Sequence, residues 1–257
     1  MSNKKDTWKN LVPVEIGKWT ETGDAVTLNL AHAKTVLIGG ESGSGKSCLI
    51  RHILATLVRE HTPEEVRFLI ADPKLVEYSD YEDRPYMLCP IISDAECMAE
   101  IFEWLFTEYE RRFELLEKYG CRNIATFNES VCAGTIPEEK LPYIVFVVDE
   151  FADFLIQDLE NFETLIARLV ALSHSFGIFL VLATQHANPK CVTKLIKSNL
   201  NARIAFRTET AKASKILLEQ SGAESLQKRE FLYSPDIHSS EKPSFIKLHA
   251  HELSGED

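Results

Sequence analysis

The chain has 257 residues, 45% apolar and 26% charged, and a formal net charge of −11 at pH 7. That length suits one large α/β domain with a well-buried core, or two small ones. No stretch reaches the roughly 18 apolar residues of a membrane helix, and the acidic balance argues against a general nucleic-acid coat, though not against a few local lysines on DNA.

Residues 1–32 read as a leading segment with short strands. VPVEIG (12–17) and AVTLNL (25–30) alternate in polarity around the turn-rich ETGD. TVLIGG (35–40) is a short uncharged run, the pattern of a strand buried on both faces. A helix is expected from Lys46 to about Arg59. VRFLIAD (66–72) is the next buried strand, stopped by Pro73. Residues 94–118 form a long amphipathic helix that Gly120 is suited to end. VCAGTIPEEKLP (131–142) reads as a surface loop, and YIVFVVDE (143–150) as the most apolar strand. A helix over 160–175 precedes the strand IFLVLATQ (178–185), and ARIAF (202–206) is a further strand. A last short strand falls near Ser244–Leu248, within a polar tail that starts at Ser239. Strands alternating with helices imply an α/β fold with a mainly parallel central sheet flanked by helices. The division expected is 1–32, a main domain over 33–238, and 239–257 as strand and tail. The opening residues MSNKKDTWKNLV lack an apolar run, so no signal peptide is expected. Cys48, Cys89, Cys97, Cys121, Cys132 and Cys191 show neither a CxxC pair nor a metal-ligand spacing, which reads as reduced thiols of a cytoplasmic protein.

GESGSGKS (40–47) matches G-x-x-x-x-G-K-[ST] in full, after a buried strand and before a helix. Gly40, Gly43 and Gly45 let the backbone turn its N–H groups toward phosphate oxygens. The helix N-terminus adds partial positive charge. Residues Gly40, Glu41, Ser42, Gly43, Ser44, Gly45, Lys46, Ser47 and Cys48 are therefore the expected nucleotide-binding set. Lys46 would reach the β- and γ-phosphates of ATP, and the Ser47 hydroxyl would bind Mg²⁺. About 100 residues on, four apolar residues lead into Asp149-Glu150. Asp149 at the strand tip would hold the Mg²⁺ shell, and Glu150 would polarise the attacking water. Gln185 ends the next strand and would sense the γ-phosphate from the sheet's C-terminal edge.

With these motifs in order, the sequence resembles the motor domain of FtsK/SpoIIIE-type DNA translocases from about Val12 to Tyr233. The resemblance rests on the phosphate-binding loop, EEVRFLIADPKLVEYSDYE (64–82), EYERRFELLEKYGCRNIATFNE (108–129), KLPYIVFVVDEFADF (140–154), LIARL (165–169), GIFLVLATQ (177–185), LIKSNLNARIAFR (195–207) and QSGAESL (220–226). Asp72-Pro73-Lys74 and Asp149-Glu150-Phe151-Ala152-Asp153 are specific to that branch. It implies a RecA-like P-loop NTPase that hydrolyses ATP with Mg²⁺, assembled as a homo-oligomeric ring, usually hexameric, around double-stranded DNA. Lys74 would either approach the active site or brace the sheet.

A ring needs a cation supplied by the neighbouring subunit. The family places an arginine shortly before the GIHL-type strand, where this chain has His174, and reads TQRP where this chain has TQHANP, with His186. A neutral imidazole does not replace guanidinium without help. Arg112, Arg168 and Arg203 are then the candidates to act in trans. DNA contact would fall on Lys190, Lys194 and Lys197, spaced to share one face of a short helix after Pro189, since the aligned family segment lines the pore. Lysines there grip phosphates without reading sequence. No orienting-sequence module is expected within this chain. The alternatives are a related ring ATPase that drives protein export, and a nucleotide-binding subunit with impaired hydrolysis. Asp72-Pro73-Lys74 and QSGAESL favour the DNA branch over export, while the two histidines keep the impaired reading open.

Overall fold

Alternation near the start of the chain makes a hairpin, β1 (Pro13–Trp19) against β2 (Ala25–Asn29), antiparallel and with a register shift between Glu15 and Gly17. The computed structural model describes residues 13–157, 159–235 and 245–250. A single turn, α1 (Leu30–Ala33), leads into β3 (Thr35–Gly39), and the phosphate-binding loop then opens α2 (Lys46–Glu60). There follow β4 (Val66–Ala71), α3 (Ala95–Lys118), α4 (Ile124–Cys132) and β5 (Tyr143–Val148). After α5 (Phe151–Gln157) and α6 (Leu159–Ser173) come β6 (Ile178–Thr184), α7 (Lys194–Asn199), β7 (Ala202–Phe206) and α8 (Ala211–Leu218). Two strands close the described chain, β8 (Glu230–Ser234) and β9 (Ile246–His249).

Among the described residues all nine strands join one sheet in the order β2-β1-β9-β8-β7-β3-β6-β5-β4. The pairings from β7 to β4 are parallel, and those from β7 to β2 are antiparallel. Side chains alternate across the sheet, as strand geometry demands. Ile38, Ile70, Val147 and Val181 face one core with Leu49, Ile53 and Leu57 of α2. Leu37, Leu69, Phe146 and Leu180 face the other, with Phe102 and Leu105 of α3 and Ile166 of α6. A core on both faces explains the near-continuous apolar runs of these strands.

The parallel centre and its flanking helices are the arrangement expected from sequence. The antiparallel half is larger than expected: β8 had not been anticipated, and it joins β9 and the leading hairpin to β7. Helix α4 begins inside a stretch given no element, capped where the Asn123 side chain accepts the Thr126 N–H. Helix α8 was also unanticipated, and Thr210 caps it at Ala213. The tail outside Phe245–Ala250 lies beyond the described residues, as do residues 1–12.

Candidate functional site

The tip of β3 packs too closely for any side chain. A Cβ on Gly39 would stand 2.4 Å from the Leu217 side chain, and one on Gly40 would stand 2.8 Å from the Phe206 Cβ. Gly43 and Gly45 take φ of +69° and +118°, in the left-handed region that glycine adopts without a Cβ penalty. Lys46, the first residue of α2, is 4% exposed, and its ammonium donates to the Gly40 and Glu41 carbonyls at 2.8 Å each. Burial pushes its pKa down, against the upward pull of Glu150 and then Asp149. The lysine opens the helix after β3 and the two carboxylates follow β5, so all three stand at the C-terminal edge of the parallel strands β3, β6 and β5. Lys74 is exposed in the turn past β4, where the Asp72 side chain accepts its N–H at 2.9 Å. Ser47 follows Lys46 on the first turn of α2 and is half-buried, while Cys48 is exposed.

Asp149 lies just past β5 and is 8% exposed. Its Oδ2 accepts from the Tyr78 hydroxyl at 3.0 Å and its Oδ1 from the Glu150 N–H at 2.9 Å. Burial raises its pKa, and those two hydrogen bonds oppose the rise. A serine hydroxyl and a carboxylate are hard oxygen donors, the kind Mg²⁺ takes. Glu150 has φ of +47°, sparsely populated for a residue with a side chain. It is held there from the neighbouring strand: the Thr184 hydroxyl donates to its Oε1 at 3.1 Å, and the Gln185 N–H to the same oxygen at 3.0 Å. Thr184 in turn accepts the His186 N–H at 2.9 Å. A strained backbone fixed by surrounding bonds is characteristic of functional sites. Gln185 thus serves Glu150 through its main chain. Its residue also lines, with Gly40, Glu41, Ser42 and His186, a cavity of about 400 Å³ that extends to Thr210 and Lys212 at the start of α8. Glu41 forms an ion pair with Arg207, whose carbonyl also takes the Glu41 N–H at 2.8 Å.

Sequence reasoning missed Tyr78, Thr184 and Arg207. Neither a tyrosine seven residues past β4 nor an arginine just after β7 carries a pattern of its own. Thr184 had a weak signal, as the residue beside Gln185 at a strand end.

Two of the three arginines expected to act in trans require correction. Arg112 is 1% exposed, and its guanidinium donates to Glu108 at 2.7 Å and to the Phe176 carbonyl at 2.6 Å. Arg203 is 3% exposed and donates to the Leu217 and Lys197 carbonyls, which satisfies the ends of α8 and α7. Neither guanidinium is presented to a neighbour. Arg168 on α6 is exposed, with its guanidinium 4.0 Å above the Phe106 ring. The side chain of His174 lies outside the described residues. The lysines are corrected too. Helix α7 begins at Lys194, after Thr193 caps it, so Lys190 sits in the preceding turn, where the Asn188 side chain accepts its N–H. Lys190 and Lys194 are exposed, whereas Lys197 is half-buried and 3.6 Å from Glu219. The three do not share a helix face.

Comparison with known proteins bears on the family and the fold. A sequence model of the FtsK/SpoIIIE family matches residues 1–189. The DNA translocase FtsK of Treponema pallidum is 38% identical over 223 residues, which are 86% of this chain and 28% of that protein. The chain spans less than a third of the length of such curated relatives. Among solved structures, the pCW3 conjugation coupling protein TcpA, a monomer form with ATPγS, superposes with a TM-score of 0.79 at 26% identity, covering 97% of this chain and 68% of that one. The Thermomonospora curvata type VII secretion ATPase EccC gives a TM-score of 0.78 at 23% identity over 96% of this chain and 29% of that one, a likeness of fold. Among the described residues no helix is long and apolar enough to cross a membrane.

Proposed function

Because the chain belongs to the FtsK/SpoIIIE family, we propose that it is an ATP-driven motor acting on double-stranded DNA, one copy in a homo-oligomeric ring, a hexamer by family resemblance. The observation that carries this reading is that Lys46, past β3, and Asp149 and Glu150, past β5, stand at one edge of the sheet, with Glu150 clamped by β6 between them. In this reading residues 40–48 cradle the nucleotide phosphates through backbone N–H groups. Lys46 leaves the loop carbonyls for the β- and γ-phosphates. Ser47 and Asp149 would hold Mg²⁺, which would supply neutralisation of the phosphate charge. Glu150, with no cation bound to its carboxylate in a direct hydrogen bond among the described residues, orients the attacking water and takes its proton. Gln185 and His186 stand at the cavity wall, where a γ-phosphate signal passes to residues 186–194. Lys190 and Lys194 then contact DNA phosphates, and Arg168 is the exposed arginine left to act in trans.

An intact, clamped Glu150 argues against a subunit impaired in hydrolysis. The fold shared with a secretion ATPase does not choose between cargoes. Duplex DNA does: unrelated duplex sequences are expected to accelerate ATP hydrolysis in a concentrated, assembled sample. A rate unchanged by every duplex would refute the DNA motor.

A further inference from the structure

Tyr78 is fully buried, yet it is not merely filling space. A hydroxyl taken out of water needs a partner, and this one donates to Asp149 Oδ2 at 3.0 Å. The segment that delivers it is anchored at several points. The Asp72 carboxylate accepts the N–H groups of Lys74, Val76 and Glu77, at 2.9, 3.1 and 3.1 Å. Arg51 of α2 donates to the Glu77 carbonyl and pairs with both Asp80 oxygens at 2.8 and 2.9 Å. Leu75 takes φ of +53°, a conformation that the Asp72 bonds on either side of it impose. One side of this segment is thus tied to the helix that starts at the phosphate-binding loop, and the other ends on the carboxylate past β5. Asp149 keeps its own Oδ1 on the Glu150 N–H. Two donors from different elements therefore fix the plane of one carboxylate.

We infer that Tyr78 is a positioning residue for the carboxylate assigned to Mg²⁺: its hydroxyl, set by the Asp72-anchored segment, fixes the orientation in which Asp149 would receive the ion. The inference rests on the proposed assignment of Asp149. Hydrogen-bonding partners of this kind usually contribute 10- to 100-fold to metal affinity, by roughly general experience with ligating carboxylates and imidazoles. The surrounding packing asks only for the ring, which phenylalanine supplies.

The test is a Mg²⁺ titration of the binding of a fluorescent, non-hydrolysable ATP analogue, run on wild type, Tyr78→Phe and Asp72→Asn. Tyr78→Phe is expected to raise the Mg²⁺ concentration for half-maximal binding by about tenfold or more. Analogue affinity in EDTA and the melting temperature should stay at wild-type values. Asp72→Asn should move the Mg²⁺ requirement in the same direction by a smaller factor, and it carries the test if Tyr78→Phe does not fold. A wild-type Mg²⁺ requirement in the folded variant overturns the inference, as does an equal loss of affinity in EDTA. If wild-type binding itself ignores Mg²⁺, the assignment of Asp149 falls, and the inference with it.

Discussion

Replacing Thr184 with valine removes one hydroxyl between Glu150 and His186 and keeps the side-chain shape. In the native chain Glu150 Oε1 accepts from the Thr184 hydroxyl at 3.1 Å and from the Gln185 N–H at 3.0 Å, and the latter also lies 3.3 Å from Oε2. Valine leaves only the main-chain donor. The carboxylate then swings about one anchor, while its backbone remains at φ of +47°. A hydrogen bond to a charged group is worth about 1.5–3 kcal/mol. If most of that serves to place the base, kcat falls by about 10- to 100-fold. Nucleotide affinity should hold within about twofold, because Lys46 and the phosphate-binding loop are untouched and a group acting only in the chemical step leaves binding alone. Steady-state ATPase rates and analogue binding, measured on samples matched in melting temperature, check this. An unchanged kcat would refute the role given to the Thr184 clamp. A matched loss of affinity would show that valine disturbs the phosphate loop instead.

Arg112→Ala leaves the Phe176 carbonyl without its guanidinium donor and Glu108 with Arg111 alone, and should destabilise the fold by about 1–3 kcal/mol, read by denaturant unfolding; Arg168→Ala should leave stability within about 1 kcal/mol and instead abolish turnover in the assembled ring. Restored turnover on mixing Arg168→Ala with Glu150→Gln subunits would support action in trans, and full activity of Arg168→Ala alone would remove it. Replacing Lys190 and Lys194 together by alanine should weaken duplex binding equally for all sequences and lower the salt slope by about 2; an unchanged slope would move the DNA face elsewhere.

The nucleotide half of the site was legible because its parts are contiguous. A glycine loop between a buried strand and a helix, and a pair of acids after an apolar run, each carry their chemistry within a few residues. What stayed hidden was set by tertiary pairing. Tyr78 reaches Asp149 across 71 residues and Thr184 reaches Glu150 across 34, and no local pattern encodes either bond. Strand β8 was hidden for a similar reason: its partners β7 and β9 define it, and its own five residues are unremarkable. Two errors had signals that could have prevented them. Met98, Phe102, Leu105, Arg112 and Leu116 share the buried face of α3, so helical spacing alone placed Arg112 in the core rather than at a subunit surface. Thr193 is a cap residue immediately before Lys194, which marks the start of α7 and leaves Lys190 outside it. The family's sequence order suggested where arginines should stand, but the fold decides which of them a neighbour can reach.

Glu150 is the residue assigned to activate water beside a nucleotide held by Lys46. Glu150→Gln keeps the shape and the bonds from Thr184 and Gln185 while removing the basic carboxylate. Single-turnover hydrolysis of pre-bound radiolabelled ATP tests the claim most directly. The variant is expected to bind ATP as the wild type does and to yield it back intact over many wild-type turnover times. Hydrolysis of the bound ATP at the wild-type rate would contradict it.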